Sequence, residues 1–140
     1  VSRQRSKARR LAAQAMYQHT VSATGADEII RQFKTYETWS KLDVEFFTNL
    51  VKSVCANIDK LDEVLDKVTD RDIKKIDPVE LSLLRLGAYE LLYQFEVPYK
   101  VILNEYINLA KTFGSVKSHA YVNATLDKVA KTVREQEINC

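Results

Sequence analysis

Arg3, Arg5, Lys7, Arg9 and Arg10 place five positive charges and no negative one within the first ten residues. Cations at this density meet phosphate oxygens. Clustered at one end of a chain, they are the electrostatic footprint of a nucleic-acid binder. Beyond that segment the remaining 16 of the 21 Lys and Arg residues are outnumbered by 19 Asp and Glu. A basic arm therefore sits on a mildly acidic body. A solvated arm without a specific ligand is the alternative that charge alone leaves open.

Spacing favours an ordered arm. Arg3, Lys7, Arg10, Gln14, Tyr17 and Val21 recur at intervals of four and three, which on a helix is one continuous face. Ala8, Leu11, Ala15 and His19, with Ala12 and Met16 beside them, form a separate small-residue stripe suited to a core. The outer face grades from cationic through amide to aromatic, so it offers phosphate contacts first and hydrogen bonding or stacking later. Tyr17 could instead cover a neighbouring helix. Near the C-terminus, Lys117, Tyr121, Thr125 and Lys128 share a helical face away from a Val122–Leu126–Val129 stripe. Cations flanking an aromatic suit single-stranded RNA, whose bases stack on rings while Lys meets phosphate, and the Tyr121 ring is expected to be free for that purpose. Whether the two faces adjoin is not decided by periodicity.

Other reactive residue types are present without a catalytic pattern. No G-x-S-x-G, phosphate-cradling glycine loop, H-E-x-x-H or EF-hand loop occurs. Asp59, Asp62, Glu63 and Asp66 fit a solvated helix face. Glu90 and Glu105 interrupt apolar faces and are expected to reach a loop, a Lys or Arg, or a helix end. His19 and His119 lack ligand-type neighbours at metal spacing, so neither a metal nor another cofactor is expected. Cys55 lies in an apolar pattern and Cys140 is the last residue; they make a poor disulfide pair and suggest a reducing compartment.

The elements that must position these residues are helical nearly throughout, since three Gly and two Pro leave little punctuation for a sheet. After the first helix, Gly25 marks a turn and Asp27 can cap a short helix through Ile30 and Phe33. Trp39 and Ser40 fall in a connection. Asp43 opens a third pattern, Phe47 to Val68, with a break near 57–59. Residues 69–76 read as a loop or a short helical turn. Asp77-Pro78-Val79-Glu80 is a helix start, with Asp77 as N-cap, Pro78 at the first position and Glu80 completing a capping box. The helix it opens is apolar on most sides and therefore central. Pro98 opens another that buries Ile102, Tyr106, Leu109, Ala110 and Phe113 and ends at Gly114 as a C′ glycine. Ser118 is expected to cap the last. The result is an all-α bundle of six to seven helices, a single domain over 1–140 with an N-terminal group to about residue 76 and a C-terminal group over about 77–140.

At 140 residues and 46% hydrophobic content the chain is a single-domain size with enough apolar surface for a core. No apolar run approaches the ~20 residues of a membrane span. No apolar region follows the basic start as in a secretory signal, and the helical pairing of the arm argues against a transit peptide.

Three segments together carry a family resemblance. They are Arg9-Arg10-Leu11-Ala12-Ala13-Gln14-Ala15-Met16-Tyr17, then Val79-Glu80-Leu81-Ser82-Leu83-Leu84-Arg85-Leu86-Gly87-Ala88-Tyr89-Glu90-Leu91, and Val97-Pro98-Tyr99-Lys100 through Asn104-Glu105 to Ala110-Lys111-Thr112-Phe113-Gly114, followed by Ser118-His119-Ala120-Tyr121-Val122-Asn123. Along essentially its whole length the chain resembles the NusB family of bacterial transcription antitermination factors. The resemblance implies two helical subdomains packed crosswise, no enzymatic activity and a cytoplasmic protein. It implies pairing with NusE, a small-subunit ribosomal protein, and binding of the boxA element of nascent ribosomal RNA transcripts within an RNA polymerase antitermination complex. A homodimer in the free state is a further expectation. Carried over by position, the RNA surface would hold Arg5, Lys7, Arg9, Gln14, Ser118 and Tyr121, while Tyr17 and Glu80 would meet NusE. Arg3 precedes the matching block and rests on charge. Arg10 and Lys117 join the set as cations where family members can carry an acidic residue, and Tyr121 stands in place of a common Phe.

Two other readings share the fold. A NusB-like domain also fronts an rRNA cytosine methyltransferase family, but this chain carries neither a Gly-rich methyl-donor loop nor a catalytic cysteine motif. A protein-interaction adaptor, or an rRNA-processing module without RNA specificity of its own, would use the basic arm only to steer association.

Overall fold

The hydroxyl of Ser2 accepts the N–H of Arg5 at 3.2 Å and starts the first helix, α1 (Arg3–Ser22). In the computed structural model, which describes residues 2–115 and 117–139, the chain continues as α2 (Ala26–Phe33), a 3-10 helix (Glu37–Lys41), α3 (Val44–Ala56), α4 (Ile58–Asp66), a second 3-10 helix (Ile73–Lys75), α5 (Pro78–Tyr93), α6 (Tyr99–Phe113), α7 (Ser118–Val133) and the short α8 (Glu135–Ile138). No strand occurs among the described residues. The all-α reading therefore holds. The long third pattern is two helices, α3 and α4, broken at Asn57. Cys140 lies outside the described residues.

Several starts follow from local chemistry. Asp43 accepts the N–H of Phe46 at 2.9 Å to open α3, and Asp77 accepts those of Val79 and Glu80 to open α5 behind Pro78. Four local expectations are corrected. Gly25, not Asp27, is the N-cap of α2, and Asp27 lies in its first turn, where a carboxylate suits the helix dipole. Glu80 completes no capping box, because its carboxylate pairs with Arg71. Gly114 is not left-handed: its φ is −102°. Glycine is needed there for space, since a Cβ would lie 2.6 Å from that of Ser118 and 2.8 Å from the Ala110 carbonyl. Ser118 is the first residue of α7 and not its cap; its Oγ accepts the Ser115 N–H at 3.2 Å and so tightens the α6–α7 turn.

α5 is the central element. Every residue from Glu80 to Ala88 is buried, and α1, α3, α4, α6 and α7 all pack on this helix. Gly87 lets α7 approach closely, for a Cβ there would meet Leu126 Cδ1 at 2.6 Å. α1 lies across α3 and α5 through Ala8, Leu11, Ala12, Ala15 and Met16. Small side chains on that stripe let helix backbones come close, so the opposite stripe is held rigidly outward. Arg134 closes the far end of α5. Its buried guanidinium donates to the carbonyls of Glu90, Leu91, Gln94 and Val97 and to Glu137.

Candidate nucleic-acid interface

All six residues of the α1 stripe, Arg3, Lys7, Arg10, Gln14, Tyr17 and Val21, are exposed. Arg3, Lys7 and Arg10 form no ion pair among the described residues, so their charge is presented to solvent. Arg5 is half-buried, 3.6 Å from the Asp43 carboxylate, with its guanidinium 4.7 Å from the Phe46 ring centroid. It remains at the surface with its charge partly spent.

Arg9 departs from the RNA-facing set. It is 2% exposed. Its Nε and Nη2 donate to the two oxygens of Glu90 at 2.8 Å each, and Nη1 donates to Glu105 at 2.8 Å. Ser6 Oγ donates to the same Glu105 oxygen at 2.5 Å, and the Tyr106 hydroxyl donates to Glu90. The cation is thus consumed inside the protein, joining α1 to α5 and α6. Burial alone would lower the Arg9 pKa; the bond and charge of Glu90, with Tyr106 and Glu105, outweigh burial and hold the guanidinium above its usual range. Burial and the Glu90 charge push the Tyr106 hydroxyl well up, so it stays a donor. Glu90 and Glu105 reach an arginine, one of the outlets expected for them.

The end of α6 adjoins the stripe of α1. The Arg10 guanidinium lies 5.4 Å from the centroid of Phe113, at the end of α6, and Gln14 lines a groove of about 330 Å³ with Phe113, Ala13, Tyr17, Val79 and Leu83. Lys117 is exposed just across Gly114. Ser118, in contrast, is buried and tied to Ser115, so its hydroxyl shapes the turn and does not face outward. Thr125 is also buried, because α7 packs on this side as well as through its valines; only Lys128 of that lower face is exposed.

Tyr121 is half-buried and not a free ring. The Arg71 guanidinium sits 3.5 Å from its centroid, and its hydroxyl is 2.6 Å from Thr69 Oγ1. Arg71 Nη1 also donates to Glu80 at 3.0 Å, and Glu80 is itself buried. Arg71 is a residue that sequence reasoning missed. It lies in an irregular segment where no periodicity points to it, yet it joins the aromatic expected to stack on RNA to the carboxylate expected to meet a partner. Tyr17, 44% exposed, lies in the groove that Val79 also lines, so the two residues expected to meet a partner both border the start of α5, Tyr17 exposed and Glu80 buried.

The remaining chemistry is quiet. Among the described residues no three His, Cys, Asp or Glu side chains are grouped to hold a metal ion. Burial pushes the Cys55 thiol up to about 11 against the opposing pull of Arg85, so it is a protonated core group at neutral pH. No helix among the described residues is long and apolar enough to cross a membrane.

A helical bundle with an outward cationic stripe and an aromatic-edged groove defines a protein of the all-α class. The comparisons with known proteins specify which. The NusB family model matches residues 6–131. The chain is 48% identical over 130 residues to the transcription antitermination protein NusB of Idiomarina loihiensis, covering 93% of this chain and 94% of that one. It is 42% identical to the NusB of Marinobacter nauticus over 95% of this chain and 84% of that one, and 43% identical to that of Xylella fastidiosa over 96% and 85%. The fold matches T. maritima NusB with a TM-score of 0.84 at 23% identity, covering the whole of both chains. It also matches, with a TM-score of 0.79 at 21% identity over 94% of this chain and 99% of the other, a chain from a crystal structure of the antitermination factors NusB and NusE in complex with double-stranded RNA. The chain belongs to the NusB family.

Proposed function

We propose that this protein is an RNA-binding transcription antitermination factor that acts in the cytoplasm, without catalysis of its own. Paired with NusE, it binds the boxA element of nascent ribosomal RNA transcripts and helps RNA polymerase resist termination. The observation that carries this reading is the unpaired cationic stripe of α1, Arg3, Lys7 and Arg10 with Gln14, continued by Arg10 over Phe113. Cations hold phosphate, and the aromatic and amide groups next to them suit unstacked bases. Arg5 lends a weaker charge at the edge, Ser118 shapes the turn, and Tyr121 stacks only where Arg71 yields one face. Tyr17 and the start of α5 at Glu80 form the NusE side. The chain works as one domain whose N-terminal helices, to about residue 76, present the arm, and whose C-terminal helices, about 77–140, supply the rest of the surface.

The test is a fluorescence titration of boxA and scrambled single-stranded RNA at fixed salt, with and without NusE. The reading expects a preference for boxA and tighter binding with NusE. Equal, weak binding of both RNAs in both conditions would leave only the adaptor role. Tyr17→Asp should abolish NusE capture, because a carboxylate would enter a desolvated contact at a cost of a few kcal/mol, of the order seen at interface anchors. Its melting should match wild type, since the side chain is exposed.

A further inference from the structure

We infer that the RNA path extends beyond α1 onto the Glu37–Lys41 helix, where Thr38 and Lys41 complete a phosphate-binding groove with Lys7, Arg10 and Gln14. This rests on the RNA-binding reading above and adds a second wall to its surface.

The groove holds about 300 Å³ and is lined by Lys7, Arg10, Leu11, Gln14, Thr38, Lys41 and Leu42. Three cations from two elements face one concavity. None of the three makes an ion pair among the described residues, although Glu37 lies one turn before Lys41. No carboxylate lines the groove, and Asp43 beside it caps α3 and pairs with Arg5.

The wall is anchored. The N–H of Asp43 donates to the Gln4 carbonyl at 3.1 Å, which pins the chain just after the 3-10 helix to the first turns of α1. Leu42 and Leu11 are buried at the floor, so the two walls are held apart by packed apolar side chains and not by a mobile arm. Lys and Arg supply charge, Gln14 and Thr38 supply neutral hydrogen-bonding groups, and this composition suits a phosphodiester with its ribose hydroxyls. An acidic peptide would meet the same cations. A nucleic-acid backbone is favoured because the groove shares Arg10 and Gln14 with the stripe that leads to Phe113, so one strand can lie along both.

The experiment measures the salt dependence of binding of fluorescein-labelled single-stranded boxA RNA by the NusE complex of wild type, Lys41→Ala, Lys41→Arg and Thr38→Ala. Lys60→Ala, which removes an exposed cation of α4, is the control. The inference expects Lys41→Ala to reduce the slope of log K against log salt by about 0.7, the loss of one phosphate contact on a single strand. Lys41→Arg and Lys60→Ala should keep the wild-type slope, and Thr38→Ala should weaken affinity without changing the slope. Thermal melting and NusE capture should be unaffected in all four variants. A Lys41→Ala slope equal to wild type overturns the inference while wild-type binding still supports the RNA-binding reading. The same result with weakened NusE capture would assign the groove to protein instead. Absence of salt-dependent RNA binding by wild type would remove both.

Discussion

Arg9 turns inward to Glu90 and Glu105, while Arg10, its neighbour in sequence, lies outward over Phe113. In the amino-acid sequence the two are equivalent cations of one arm. The difference arises from carboxylates 81 and 96 residues away, and a local pattern carries no information about partners at that distance. What was legible was the obverse, that two acidic residues in apolar faces need an outlet. Arg9→Ala should therefore destabilise the fold by about 3–5 kcal/mol, since it strands a buried carboxylate, and urea unfolding measures this directly. Lys7→Ala should stay within about 0.5 kcal/mol of wild type in the same assay. Tyr121 gives a second contrast. Tyr121→Phe keeps the ring but loses the Thr69 hydrogen bond, so it should cost about 1 kcal/mol of stability and leave RNA affinity nearly unchanged. Tyr121→Ala should weaken boxA binding about five- to a hundredfold, the cost of about 1–3 kcal/mol for a lost stacking ring. Equal affinity for wild type and Tyr121→Ala would show that Arg71 keeps the ring from RNA.

Helix starts at Asp43 and Asp77 were readable because an N-cap is a contact over two or three residues. The stripe of α1 was readable because its small-residue face is continuous. Gly114 and Ser118 were misread because their roles depend on a tight turn between two helices, which composition does not reveal. The burial of Arg134 was not legible: apart from Glu137 its ligands are backbone carbonyls, which no side-chain pattern announces. Arg134→Ala should take from the Leu91 and Val97 carbonyls the guanidinium donor they hold, at a cost of roughly 1–3 kcal/mol each, and lower the melting temperature more than any exposed Lys→Ala change. At the end of α1, Ala23 has φ 57°, a left-handed conformation that costs a residue with a Cβ roughly 1–2 kcal/mol. Glycine would relieve that and give back about 0.4–1 kcal/mol through a looser unfolded chain. Ala23→Gly should thus raise the denaturation midpoint slightly, and a lowered midpoint would mean that Ala23 makes a contact worth more than its strain.

Across the whole molecule, charge is divided by destination. Arg9 and Arg134 are spent on the interior, Arg5 and Arg71 on half-buried pairs, and Lys7 and Arg10 on no ion pair among the described residues. The all-helical class and the family were readable from period and motif. The sorting of cations was not, because it follows from how α1 is rolled against α3, α5 and α6. The central claim is that the unpaired cations of α1 bind RNA while the buried one holds the fold. The most direct measurement is the salt dependence of boxA binding by the NusE complex carrying Lys7→Ala and Arg10→Ala together. The slope should fall by about 1.4, two single-strand phosphate contacts, with the melting temperature of the isolated protein unchanged. A wild-type slope in that double variant would contradict the claim and take α1 out of the RNA site.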